Sequence, residues 1–131
     1  MLALQRAAHR TLHALATTLA DLDLTSSELN ALANLADGQP RSVRALSHDT
    51  GTRATTLTGV LDRLERRGYL TRALDPADRR SFRVTLTGRG RTIAARVRAA
   101  ITDLERAELA GVSTRQLAGF HKVITALQEI P

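Results

Sequence analysis

GYLTRALDPADRRSFRVTLTGRG, running from Gly68 to Gly90, is the stretch on which the reading of this 131-residue chain turns. Before it, apolar residues recur at helical spacing; within it the period falls to two. Tyr69 to Ala73 reads as one strand and Phe82 to Leu86 as a second, with Phe82, Val84 and Leu86 on the face turned to the core. Asp75-Pro76-Ala77-Asp78-Arg79-Arg80 lies between them, a proline turn with a basic tip. The expected element is a small β-hairpin projecting from a helical body.

Immediately upstream the sequence predicts two short helices. Ser42 to Asp49 is the first, with Val43 and Leu46 inward. Thr50-Gly51-Thr52 makes a tight turn, and Thr52 is the expected N-cap of the second helix, which runs to about Arg67 and ends at Gly68. Two short helices joined by a glycine-containing turn match a helix-turn-helix, and the hairpin that follows would be its wing. At about 100° per residue, Leu57, Leu61 and Leu64 share one narrow face of the second helix and point at the core. Thr52, Thr55, Thr56, Gly59, Arg63 and Arg66 share another, which carries hydroxyls, two arginines and no acid.

Further out, Leu4 to Leu22 is a helix whose Ala8, Leu12, Leu15, Leu19 and Leu22 form a 4,3,4,3 seam suited to a partner helix. Thr25-Ser26-Ser27-Glu28 is a capping-box pattern opening a second helix, stopped by Asp37-Gly38-Gln39-Pro40. After the hairpin a long helix runs to about Leu109 with Ile93, Val97, Ile101 and Leu104 in line. Ser113 to Gln116 resembles another capping box, opening a last helix with Leu117, Phe120, Ile124 and Leu127 in 3,4,3 spacing. The fold class is therefore mainly α with a small β-hairpin wing: a dimeric winged helix-turn-helix of about six helices. Residues 1–131 form a single domain, with 24–90 as the winged helix-turn-helix region and 1–23 and 91–131 as dimerisation helices. The dimer seam takes Leu4, Ala8, Leu12, Leu15, Leu19, Leu117, Phe120, Ile124 and Leu127.

Charge supports a polyanion partner. Between Arg41 and Arg98 there are 14 arginines against 5 acids, a net charge of +9, whereas the rest of the chain is −3. A basic middle flanked by slightly acidic ends suits a nucleic-acid module carried on helices with another task. Thr and Arg on the second short helix fit a major groove, where a guanidinium forks onto guanine. A projecting Arg on the hairpin fits the narrow minor groove, with Asp78 holding one arginine by accepting its hydrogen bonds. The DNA-contacting residues are accordingly Arg53, Thr55, Thr56, Thr58, Arg63, Arg66, Asp78, Arg79 and Arg80.

The chain has no cysteine, which excludes disulfides, thiolate zinc sites and thiol redox sensing. No apolar run approaches membrane-spanning length and no signal-peptide pattern opens the chain, so a cytoplasmic protein is expected. His9 and His13 are spaced i,i+4 on the first helix and could face one ion, but no third ligand is near in sequence, and neither a metal site nor a cofactor is expected. No nucleophile–base pair, phosphate loop or HExxH pattern points to an enzyme. A winged helix used only for protein contacts is the remaining alternative.

The stretch from Leu24 to Gly90 resembles the DNA-binding region of the MarR family of bacterial regulators. The most specific part is Asp75-Pro76-Ala77-Asp78-Arg79-Arg80 followed by Val84-x-Leu86-Thr87-x-x-Gly90, supported by Leu61-Asp62-Arg63-Leu64-Glu65 and Gly68-Tyr69. The resemblance implies an obligate dimer through the first, fifth and sixth helices, and Arg80 as the minor-groove arginine with Asp78 as its support. It also implies a pseudo-palindromic operator and repression relieved by a small aromatic or phenolic ligand bound between the dimer and DNA-binding regions. The chain departs from the pattern in having Gly59 where many members carry Arg, and in a first helix that begins close to Met1.

Overall fold

A computed structural model describes residues 1–130. The chain divides into two compact units, one from Met1 to Ile101 and one from Thr102 on. The first contains α1 (Leu2–Thr18), a 3₁₀ turn (Ala20–Leu22), α2 (Ser26–Leu35), β1 (Arg41–Ser42), α3 (Val43–Thr50), α4 (Ala54–Arg66), β2 (Leu70–Leu74) and β3 (Phe82–Leu86). α5 (Gly88–Glu108) contributes to both units, and α6 (Thr114–Gln128) belongs to the second.

The core of the first unit is leucine-built. Leu29, Leu32 and Leu35 of α2, Leu46 of α3, and Leu57, Val60, Leu61 and Leu64 of α4 close over Leu70, Val84 and Leu86 of the sheet. Burying each such side chain contributes about 1.5–3 kcal/mol, and this replaces the aromatic payload the sequence lacks. The capping box at Thr25 forms as its pattern predicts: the Glu28 N–H donates to Thr25 Oγ1 at 3.2 Å, and the Thr25 N–H donates back to Glu28 Oε2 at 3.1 Å. Its counterpart at Ser113 and Gln116 starts α6 in the same way.

The seam expected along α1 is interrupted near its end. α1 stops at Thr18, Leu19 turns out of helical geometry, and the chain tightens into the 3₁₀ turn. Leu19, 4% exposed, and Leu22 thereby leave the seam and drop into their own unit's core, which corrects the placement of Leu19 at a dimer surface. The rest of the α1 seam has no such cover: none of its residues is buried, and Leu12 is 41% exposed. α6, taken alone, likewise buries nothing, with Phe120 54% exposed.

The sheet has one strand more than the hairpin reading. β1 pairs antiparallel with β3, Arg41 opposite Val84 and Ser42 opposite Arg83, giving the order β1-β3-β2. β2 begins at Leu70 and pairs in register with β3, from Leu70 opposite Leu86 to Leu74 opposite Phe82. Val84 and Leu86 face the core as expected, but Phe82 is 48% exposed. It pairs with exposed Leu74 at the outer end of the hairpin, beyond Val84, the last buried residue of β3 on that side. The alternation is right and the core simply ends first.

α4 also starts differently. Thr52 closes the end of α3 instead of capping α4: its N–H donates to the Ser47 carbonyl at 3.1 Å, and its own carbonyl accepts from Ser47 Oγ. Gly51, at φ +65, makes the left-handed turn that permits this. The N-cap of α4 is Arg53, which supplies no side-chain cap.

The wing is fixed at its base by Gly90. A Cβ built there would lie 1.7 Å from the Tyr69 carbonyl oxygen. Thr87 clamps the same point, its N–H donating to Tyr69 O at 3.0 Å and its hydroxyl to Gly68 O at 2.6 Å while accepting from the Gly90 N–H. Gly90→Ala should therefore lower stability by about 2–4 kcal/mol in thermal or urea unfolding followed by circular dichroism. At Gly119 in α6 a Cβ meets nothing within 4 Å, so Gly119→Ala should raise stability by about 0.5–1 kcal/mol. Equal midpoints for the two variants would show that the Tyr69 contact is not a constraint.

Candidate nucleic-acid interface

The wing tip is ordered by its own acids. Asp75 is buried, and its Oδ1 accepts from the Ala77 N–H at 2.9 Å and lies 3.5 Å from Arg83 Nη2. Asp78 Oδ1 accepts from the Arg80 N–H at 3.0 Å, and the Asp78 carbonyl accepts from the Ser81 N–H. Asp78 thus supports Arg80 through the backbone of the turn, where the sequence suggested a bond to an arginine side chain. Both guanidinium groups at the tip stay exposed, and neither Arg79 nor Arg80 makes an ion pair among the described residues.

α3, α4 and the wing enclose an open concavity of about 670 Å³ within the first unit. Arg80, Asp78, Ser81 and Phe82 line it from the wing, Arg44 and Ser47 from α3, and Ala54 and Thr58 from α4. Of the residues expected to contact DNA, this surface brings together Thr58, Asp78 and Arg80. Arg44 was not among them: it reads in sequence as one more polar position of a short helix. Its only available signal was an arginine on the side of α3 away from Val43 and Leu46. Arg72 also lines the concavity but is not free, because Glu65 and Asp62 hydrogen-bond it. The Glu65 bond, followed by the Asp62 bond, pushes the pKa of this guanidinium further up, against the opposing effect of partial burial.

Arg63 and Arg66 lie on the other flank of α4, around a second, shallower hollow shared with Asp23, Thr25, Glu28 and Arg67. Here Arg63 Nε donates to Glu28 Oε1 at 2.7 Å, a contact between side chains 46% and 5% exposed. Arg67 is spent on the fold, donating to the carbonyls of Leu22 and Asp23 and lying over the Tyr69 ring. Arg53, Thr55 and Thr56 are exposed around the start of α4, between the hollows in sequence and lining neither. Because no side chain caps α4, its first backbone N–H groups remain available to an anion. No cluster of three or more potential metal ligands occurs among the described residues, His9 and His13 included.

A helix-turn-helix flanked by a three-stranded wing, with unpaired arginines on the wing and beside the second helix, defines a winged helix-turn-helix protein with a basic face. A model of the MarR family matches residues 22–81, so through that segment the chain is similar to the MarR family. Solved structures of similar fold span nearly the whole chain. NadR in complex with 4-hydroxyphenylacetate matches with a TM-score of 0.88 at 18% identity, over 99% of this chain and 92% of that one. BpsR of Bordetella bronchiseptica, whose DNA binding is regulated by 6-hydroxynicotinic acid, matches at 0.80 and 26% identity, over 98% and 91%. Reduced AbfR bound to DNA matches at 0.77 and 22% identity, over 97% and 88%. No helix among the described residues is long and apolar enough to cross a membrane.

Proposed function

We propose that this protein is a cytoplasmic, sequence-specific regulator of transcription that binds double-stranded DNA as a homodimer and acts as a repressor released by a small ligand. The observation that carries the DNA reading is the concavity in which Arg80 of the wing, Arg44 of α3 and Thr58 of α4 face one space, with Arg80 and Arg44 unpaired. α4 is the major-groove helix, contacting DNA through Arg53, Thr55, Thr56, Thr58, Arg63 and Arg66. The wing, with Arg79 and Arg80 held up by Asp78, reaches the adjoining minor groove. The reading assigns no catalytic step, and the match to the MarR family supports it.

The dimer is proposed from two apolar rows in which no residue is fully buried: Leu4, Ala8, Leu12 and Leu15 on α1, and Leu117, Phe120, Ile124 and Leu127 on α6. Residues 1–23 and 91–131 would be the dimerisation helices and 24–90 the DNA-binding region. Two-fold symmetry then calls for a pseudo-palindromic operator.

For the ligand, an apolar cavity of about 70 Å³ lies where α1, α2 and α5 meet, lined by Leu12, Leu15, Leu29, Asn30, Ala33, Val97 and Ile101. It would have to widen to admit a phenol-sized molecule, since ligand pockets run to about 300 Å³ and above. Asn30 at its wall donates to the Thr50 carbonyl at 3.0 Å, beside the turn of the helix-turn-helix. A small aromatic molecule in the cavity would press on that link and so on the orientation of α3 and α4.

A duplex selected by the protein from a random-sequence pool provides the tests. Affinity should fall steeply with salt, and Arg80→Ala should weaken binding by about 1–3 kcal/mol with helix content unchanged. Unaltered affinity in the variant would rule out the wing contact. Adding 4-hydroxyphenylacetate as a probe aromatic acid should release the duplex at a concentration that leaves Ala33→Leu, which fills the cavity from α2, bound; release of both alike would exclude this cavity. Sedimentation of Leu12→Asp combined with Phe120→Asp should show loss of the dimer, and a persisting folded dimer would refute the two rows as its interface.

A further inference from the structure

We infer that Glu28 is a positioning residue for base recognition: it fixes the Arg63 guanidinium across the bare backbone at Gly59, which makes Arg63 the specificity-determining side chain of α4. The inference rests on the DNA-binding reading above and names the groups that would give it selectivity.

Glu28 is 4% exposed, and a carboxylate taken so far out of water is stable only if hydrogen-bonded and paired. One oxygen serves the capping box of α2. Capping alone does not call for the charge, because the box that opens α6 is closed by Gln116, a neutral amide, in the same geometry. The charge is matched instead by Arg63, 35 positions along the chain and on a different helix.

With Nε held at 2.7 Å by Glu28, the guanidinium plane of Arg63 is fixed while Nη1 and Nη2 have no protein partner among the described residues. That leaves two parallel donors, the pattern that meets the O6 and N7 acceptors of guanine. Nη1 lies 3.6 Å from the point where a Cβ on residue 59 would stand, so the guanidinium extends one turn back along α4 over Gly59. A Cβ on residue 59 would make only ordinary van der Waals contact with Nη1, so the glycine leaves the guanidinium uncovered on that side without being sterically required.

Charge and positioning make opposite predictions, which gives a clean test. As a mere negative charge near DNA, Glu28 repels phosphates, and Glu28→Gln would raise affinity for every duplex. As a positioning residue it sharpens discrimination. The measured quantity is the ratio of affinities for the duplex selected by the wild-type chain and for an unrelated duplex of equal length, at one salt concentration.

Glu28→Gln and Arg63→Ala should each lower the ratio about tenfold, and the double variant should lose no more than either alone. Binding of the unrelated duplex by Glu28→Gln should hold or rise. Arg63→Lys, which keeps the pairing with Glu28 but lacks the planar fork, should lose the same discrimination. An unchanged ratio in Glu28→Gln or Arg63→Lys, or losses that multiply in the double variant, would overturn the inference. So would equal weakening of both duplexes by Glu28→Gln, which would make Glu28 a residue of the fold alone. A wild-type chain that selects no duplex would instead refute the DNA-binding reading itself.

Discussion

Gly90 packs against the Tyr69 carbonyl more closely than any side chain allows, and the direction of the wing depends on that approach. Within a few residues it brings together the end of α4, the end of β3 and the start of α5. Thr87 joins the three by bonding Gly68, Tyr69 and Gly90 at once. The Tyr69 ring is buried beneath the guanidinium groups of Arg67 and Arg89, 5.1 and 5.3 Å from its centroid. Arg67 in turn reaches the carbonyls of the 3₁₀ turn. The hairpin therefore leaves the body at a set angle, and the concavity it forms with α3 and α4 has its width decided at the base. At the tip, Asp75 and Asp78 need only keep the turn's backbone in shape.

What could be read in the sequence divides along the range of the interactions involved. Helices announced themselves through spacing and through local bonds three residues apart, so both capping boxes and the stop at Gly51 are where the residues place them. β1 has no local signal, since two residues carry no period and exist as a strand only because β3 passes beside them. Thr52 is a good cap by residue type, yet Ser47 competes for its backbone and wins. Phe82 and Leu19 fail in opposite directions for one reason: periodicity says which side chains share a face, and says nothing of whether another layer covers it.

The candidate interface was legible to a similar degree. The basic wing tip and the polar face of α4 are features of sequence, and both exist. Spacing could not show that α4 divides its exposed surface between two hollows, with Thr58 toward the wing and Arg63 and Arg66 toward the start of α2. Nor could it show that Glu28, legible as a cap, also meets an arginine on another helix. That pairing depends on how α2 and α4 cross, a consequence of the core and not of either helix.

The arginine excess also changes meaning once each guanidinium is placed. Arg41 is tied to Asp37 and Asp49, Arg72 to Asp62 and Glu65, Arg83 to Asp75 and Arg96 to Asp21, so much of the positive charge in the middle of the chain is neutralised at short range. Charge counted along the sequence therefore gives the sum but not the place where a polyanion would feel it. Among the arginines without an acid partner, Arg44, Arg53, Arg79 and Arg80 stand together on α3, at the start of α4 and on the wing tip. Screening at physiological salt confines such attraction to about 8 Å, so the placement of these four matters more than the total. The acids of this segment serve the same end, silencing the arginines that build the fold and leaving the exposed ones to define a face.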